Sequence, residues 1–81
     1  MNLQNDSHAP ARIDAAVAAA NGRVRRQIRL IKLMTAEGCD TQLALRVLKV
    51  LRDSRDALAE RRDLTLESIS LVRRCLKAAS N

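Results

Sequence analysis

The sequence predicts an all-α protein: an antiparallel helical hairpin with a C-terminal helical extension or third short helix, paired with a second copy in a bundle. Three observations predict it. Only two Gly and one Pro interrupt 81 residues, and the bulk of the chain is Ala, Leu, Arg, Glu, Asp and Lys, with few strongly β-prone residues. Two segments carry aliphatic residues at mixed steps of three and four, the spacing of a helix that faces another helix. Between them stands EGCDT, residues 37 to 41, which has the chemistry of a tight helix–helix turn.

Residues 1–11 read as a loose tail, because MNLQNDSHAPA is polar and lacks a periodic apolar pattern. A first helix is expected over 12–37. Pro10 suits the approach to a helix start, and Asp14 complements the positive end of the helix dipole. At 100° per residue, Ile13, Val17, Ala20, Val24, Ile28, Ile31 and Met34 fall on one stripe. Asn21-Gly22 costs about 1 kcal/mol relative to alanine in a helix interior, but the stripe keeps its phase across the pair, so the helix is read as continuous.

The turn is expected at 38–40. Gly38 can take the left-handed position after the last helical residue, Cys39 then follows over Met34, and Asp40 can cap the next helix. A second helix over 41–63 places Ala44, Leu48, Leu51 and Leu58 on a seam that continues through Ile69, Val72 and Leu76, with Arg55, Arg62 and Thr65 among them. Polar seam residues cost stability but can fix register. Residues 64–79 either end this helix or fold back as a third short one. A short turn makes neighbouring helices antiparallel. Leu30, Leu33, Leu45 and Val50 lie off both seams, so a bare hairpin exposes them; a homodimer of four-helix type would cover them.

With no Phe, Tyr or Trp, any core is aliphatic, and 81 residues give it little volume. The formal charge of +6 fits nucleic acid, anionic membranes or acidic protein faces, although twelve Arg against three Lys also fits a compositional bias. The charge is uneven. Residues 15–36 carry five cations and no acid, whereas 40–63 hold six basic and five acidic residues, with Lys49/Asp53 and Arg52/Asp56 spaced for pairing. Arg25, Arg29 and Lys32 line one side of the first helix and are the candidate contacts to a nucleic-acid backbone. No aromatic platform, zinc knuckle or trustworthy recognition helix accompanies them.

No secretory signal is visible in the first ten residues, and the longest apolar run, AAVAAA, is too short for a membrane span. A cytoplasmic protein is therefore expected, with a membrane role disfavoured. Cys39 and Cys75 are too far apart along a helical chain to pair. His8 stands alone, no Gly-rich phosphate loop exists, and Arg residues interleave Asp53, Asp56 and Glu60. These features give no catalytic residue, metal site or cofactor.

VRRQIRLIKLMTAEGCDT, residues 24–41, continuing through LRVLKVLRDSRDALAERRD, residues 45–63, resembles the central signature of a group of short uncharacterised bacterial proteins. Their pattern is an apolar residue, Gln, Leu-Ile, then Gly, one variable residue and Asp-Thr. The resemblance implies a helical hairpin and no reaction. The function expected is a small non-enzymatic interaction or regulatory module working through helix–helix association, with Val24, Ile28, Ile31, Leu48, Leu51 and Leu58 as its interface. The alternative is a basic hairpin that binds nucleic acid through Arg25, Arg29 and Lys32.

Overall fold

A computed structural model describes residues 3–80, with side chains described from residue 11 onward. Two helices account for nearly all of it: α1 (Leu3–Ala36) and α2 (Gln42–Ala79). They pack against each other as a hairpin, and no strand occurs among the described residues.

The backbone is already helical at Leu3, within the stretch expected to be a loose tail. Asn, Asp and Ser are poor helix formers, but adding residues to a helix nucleated downstream costs only propagation. Pro10 removes one N–H from the ladder without ending it. Residues 1 and 2 lie outside the described residues. Asn21-Gly22 likewise leaves α1 unbroken. A Cβ built at Gly22 meets only the end of the Arg26 guanidinium, at 3.4 Å, so close packing does not require a glycine there.

The reversal follows the turn chemistry closely. The N–H of Cys39 donates to the carbonyl of Met34 at 2.9 Å, and that of Gly38 to Thr35 at 3.1 Å. These are the two bonds of a Schellman ending, and they need the φ of +75° that Gly38 adopts. Asp40 is not itself the N-cap. Thr41 occupies that position without a side-chain cap bond, while Asp40 Oδ1 accepts the N–H of Gln42 at 3.0 Å. The carboxylate still satisfies a first-turn donor, from one residue farther back.

Residues 64–79 continue α2 as one unbroken helix, so a third helix is absent from the described residues. Register is set at two levels. Near the turn, Gln27 Nε2 donates to the backbone carbonyl of Ala44 at 2.9 Å. Farther out, Arg62 Nε lies 3.9 Å from Asp14 Oδ1. From that level α1 has about eleven residues left, which brings Leu3 to roughly the level of residue 73. Leu76 therefore lies beyond the end of α1. It is 66% exposed and Val72 57%, so neither belongs to the packed seam that the spacing predicts for them.

The core is a single line. Val17, Ala20, Val24, Ala44 and Leu48 are buried, and among the described residues no large side chain is fully so. Ile13, Ile28, Ile31, Met34, Leu51, Leu58 and Ile69 are half-buried along the same seam. Arg55, Arg62 and Thr65 share it, with the Thr65 hydroxyl turned onto the carbonyl of Arg61 at 2.9 Å. The result is a rod with Cα extents of 67 × 18 × 17 Å and a radius of gyration of 18.9 Å, against about 12 Å for a compact domain of this length.

Candidate interaction surfaces

Two helices side by side leave two broad flanks, and their orientation follows from the seam. Arg12, Ile13 and Ala16 of α1 border a shallow depression with Leu58 and Arg61 of α2. The outer sides of these residues therefore share one flank. Leu30 follows Arg12 by eighteen residues, five full turns, and Leu43 precedes Arg61 by the same interval. Leu30 and Leu43 thus lie on this flank too, close to the turn, with Leu33, Val47 and Val50 beside them.

That flank carries an aliphatic residue at every seventh position along α2. From Leu43 every seventh residue is aliphatic: Leu43, Val50, Ala57, Leu64, Leu71 and Ala78. Four residues after each of the first five come Val47, Ser54, Arg61, Ser68 and Cys75. The steps of four and three form a second heptad stripe, one residue behind the seam that packs on α1. By contrast Arg46, Asp53, Glu60, Glu67 and Arg74, also seven apart, are all charged and face solvent. The second stripe is uncovered: Leu43 is 72% exposed, Val50 67%, Leu64 56% and Leu71 55%.

The six residues named for helix–helix association line the seam between α1 and α2. Val24 and Leu48 are buried there, and Ile28, Ile31, Leu51 and Leu58 are half-buried. They hold the hairpin together, so the area open to a partner lies elsewhere. Leu30, Leu33, Leu45 and Val50 are exposed, in line with their off-seam positions. Leu43, Val47, Leu64 and Leu71 become visible only when the sequence is scanned for a second seven-residue spacing beside the first.

Arg25, Arg29 and Lys32 are exposed; Leu30 lies across α1 from them, whereas Leu33, one turn from Arg29, is on Arg29's side of the helix. Arg25 and Arg29 flank Ile28 at a shallow depression. No hydrogen bond or ion pair among the described residues engages these three cations. On α2 three aspartates pair with nearby cations. Lys49 pairs with Asp53 at 3.1 Å, as the i,i+4 spacing predicts. Arg52 and Asp56 do not pair; the adjacent Arg55 reaches Asp56 at 3.0 Å first. Arg62 also touches Asp63 at 3.4 Å.

Cys39 and Cys75 are free and exposed. Among the described residues, no group of three or more His, Cys, Asp or Glu is placed to hold a metal ion, and no helix is long and apolar enough to cross a membrane. No family model matches the chain, and no similar curated protein or solved structure was found. The likeness of residues 24–63 to short bacterial hairpin proteins rests on the residue pattern alone.

Proposed function

We propose that the protein is a non-enzymatic interaction module that works as a homodimer, two hairpins associating through their aliphatic flanks. One observation carries this reading: the accessible surface of 6571 Å². A compact monomer of 9.0 kDa exposes about 4,900 Å². The excess, roughly 1,700 Å², is more than one partner contributes to a standard interface, about 800 Å², and Leu43, Val50, Leu64 and Leu71 are each more than half exposed. A hairpin whose core is one line of small and half-buried residues gains stability when a second copy covers that flank.

The test is mass in solution. Light scattering across micromolar concentrations is expected to give a dimer that persists from ~50 to ~200 mM salt, since apolar burial is not screened. A monomer throughout that range contradicts the proposal. Leu64→Asp together with Leu71→Asp is expected to yield monomers with retained helicity. Leu51→Asp is a poor probe, because Leu51 packs inside the hairpin and its loss disrupts folding and assembly together.

A second reading is favoured by the unpaired cations. Arg25, Arg29 and Lys32 form a basic line on a flank that the dimer leaves free, and it could track a phosphate backbone. Binding of duplex DNA or RNA would then fall steeply between ~50 and ~200 mM salt as counterions compete. A mobility shift that is unchanged in Arg25→Glu/Arg29→Glu/Lys32→Glu would eliminate this role.

A further inference from the structure

We infer that the occupant of the α2 flank is the α2 of a second copy, laid antiparallel, with Leu43 of each chain against Cys75 of the other. The inference rests on the homodimer reading above and adds its surface, direction and register.

The stripe from Leu43 to Ala78 spans about 53 Å at 1.5 Å per residue. With a helix about 10 Å wide, that is roughly 500 Å² on each copy. The total, roughly 1,000 Å², reaches the lower limit for a specific interface and is below the ~1,200 Å² at which stable ones begin. Among the described residues no segment of the same chain covers it: α1 packs on the neighbouring seam.

The order of side chains selects the direction. Parallel, in-register pairing sets each residue against its own copy. Arg61 would then meet Arg61, and Ser54 and Ser68 would each face another serine, leaving like charges together and voids beside them. Antiparallel pairing about a two-fold axis near Ala59 gives a different match. Leu43 faces Cys75, Val50 faces Ser68, Leu64 faces Ser54 and Arg61 faces Ala57. In each of these pairs a larger side chain meets a smaller one, which is how facing layers interdigitate. Arg61 can run its aliphatic stem over Ala57 and keep its guanidinium in water. Val47 against Leu71 is the one pair of two bulky residues. Sliding the pairing by one heptad in either direction sets two small residues opposite each other at Ala57 and leaves an end of the stripe uncovered.

The two cysteines make this directly testable. Within one chain, residues 43 and 75 are about 48 Å apart along α2 and cannot be joined by a short linker. Every variant carries Cys39→Ser, to remove the thiol near the turn. A short bis-maleimide is expected to convert Leu43→Cys, which retains Cys75, into a covalent dimer. It is expected to leave monomers on denaturing gels when Cys75 is the only thiol, and equally in Leu43→Cys/Cys75→Ser. Leu43 is exposed, so the substitution leaves the hairpin seam intact, which circular dichroism checks. Covalent dimer from Cys75 alone would show parallel pairing and overturn the inference. A dimer by light scattering that yields no 43-to-75 product would overturn it as well. A monomer by light scattering would remove the homodimer reading itself, and the inference with it.

Discussion

Gln27 reaches across the hairpin and donates its side-chain amide to the backbone carbonyl of Ala44, 2.9 Å away. Gln27 stands on the α1 seam, seven residues from Ala20, where an aliphatic residue would otherwise pack. Its amide finds an acceptor that α2 already uses in its own ladder, as carbonyl oxygens with two lone pairs can. The bond is directional in a seam of aliphatic contacts that are not, so it marks one register for the two helices.

Gln27→Ala is expected to lower unfolding free energy by about 1 kcal/mol, with some further loss from the missing stem. Gln27→Leu should come closer to neutral, because no buried polar group is orphaned when the donor leaves. Urea titrations of both variants decide this. Equal losses in the two would mean that the stem's packing adds nothing and the hydrogen bond carries the whole effect; no loss in Gln27→Leu would mean that the bond contributes nothing beyond packing.

Leu48→Ala is expected to cost ~2 to 5 kcal/mol, the range for a truncated core leucine. With five buried side chains among the described residues, a loss of that size should abolish cooperative melting. Leu45→Ala, at an exposed position, should leave the melting temperature nearly unchanged. Thermal denaturation followed by circular dichroism compares the two.

Gly38→Ala is expected to destabilise by ~1 kcal/mol. A Cβ there meets nothing within 4 Å, so the cost comes from holding an alanine at a φ of +75°. Gly38→Asn should lose less, since asparagine tolerates the left-handed region. Gly22→Ala should act in the opposite sense and stabilise by up to ~1 kcal/mol, because Gly22 sits in an unbroken helix with room for a methyl group. Melting temperatures of the three variants should therefore rank in the order Gly22→Ala, Gly38→Asn, Gly38→Ala.

Removing the cross-helix ion pair should matter little. Arg62 and Asp14 approach only to 3.9 Å and are a third and more than half exposed, respectively. A double-mutant cycle with Asp14→Ala and Arg62→Ala is expected to give a coupling below ~1 kcal/mol. A larger coupling would mean that Arg62, rather than the aliphatic seam around Ile13, Val17 and Leu58, pins the outer half of the hairpin.

The sequence by itself determined the inner seam and the turn. Ile13, Val17, Ala20 and Val24 on α1, and Ala44, Leu48 and Leu51 on α2, recur at steps that only a helix converts into one face. Gly38 is at the one place where a positive φ ends a helix. Those are local properties, carried by 3.6-residue geometry and backbone sterics. The tertiary structure decided what periodicity leaves open. It showed that residues 64–79 run straight on, that helix extends back through Pro10 to Leu3, and that Val72 and Leu76 lack cover although their spacing continues the seam. It also left Leu43, Leu64 and Leu71 exposed beside that seam. A helical pattern records which residues share a side of a helix. Which side meets a neighbour, and where that neighbour ends, depends on the length and register of a second helix many residues away.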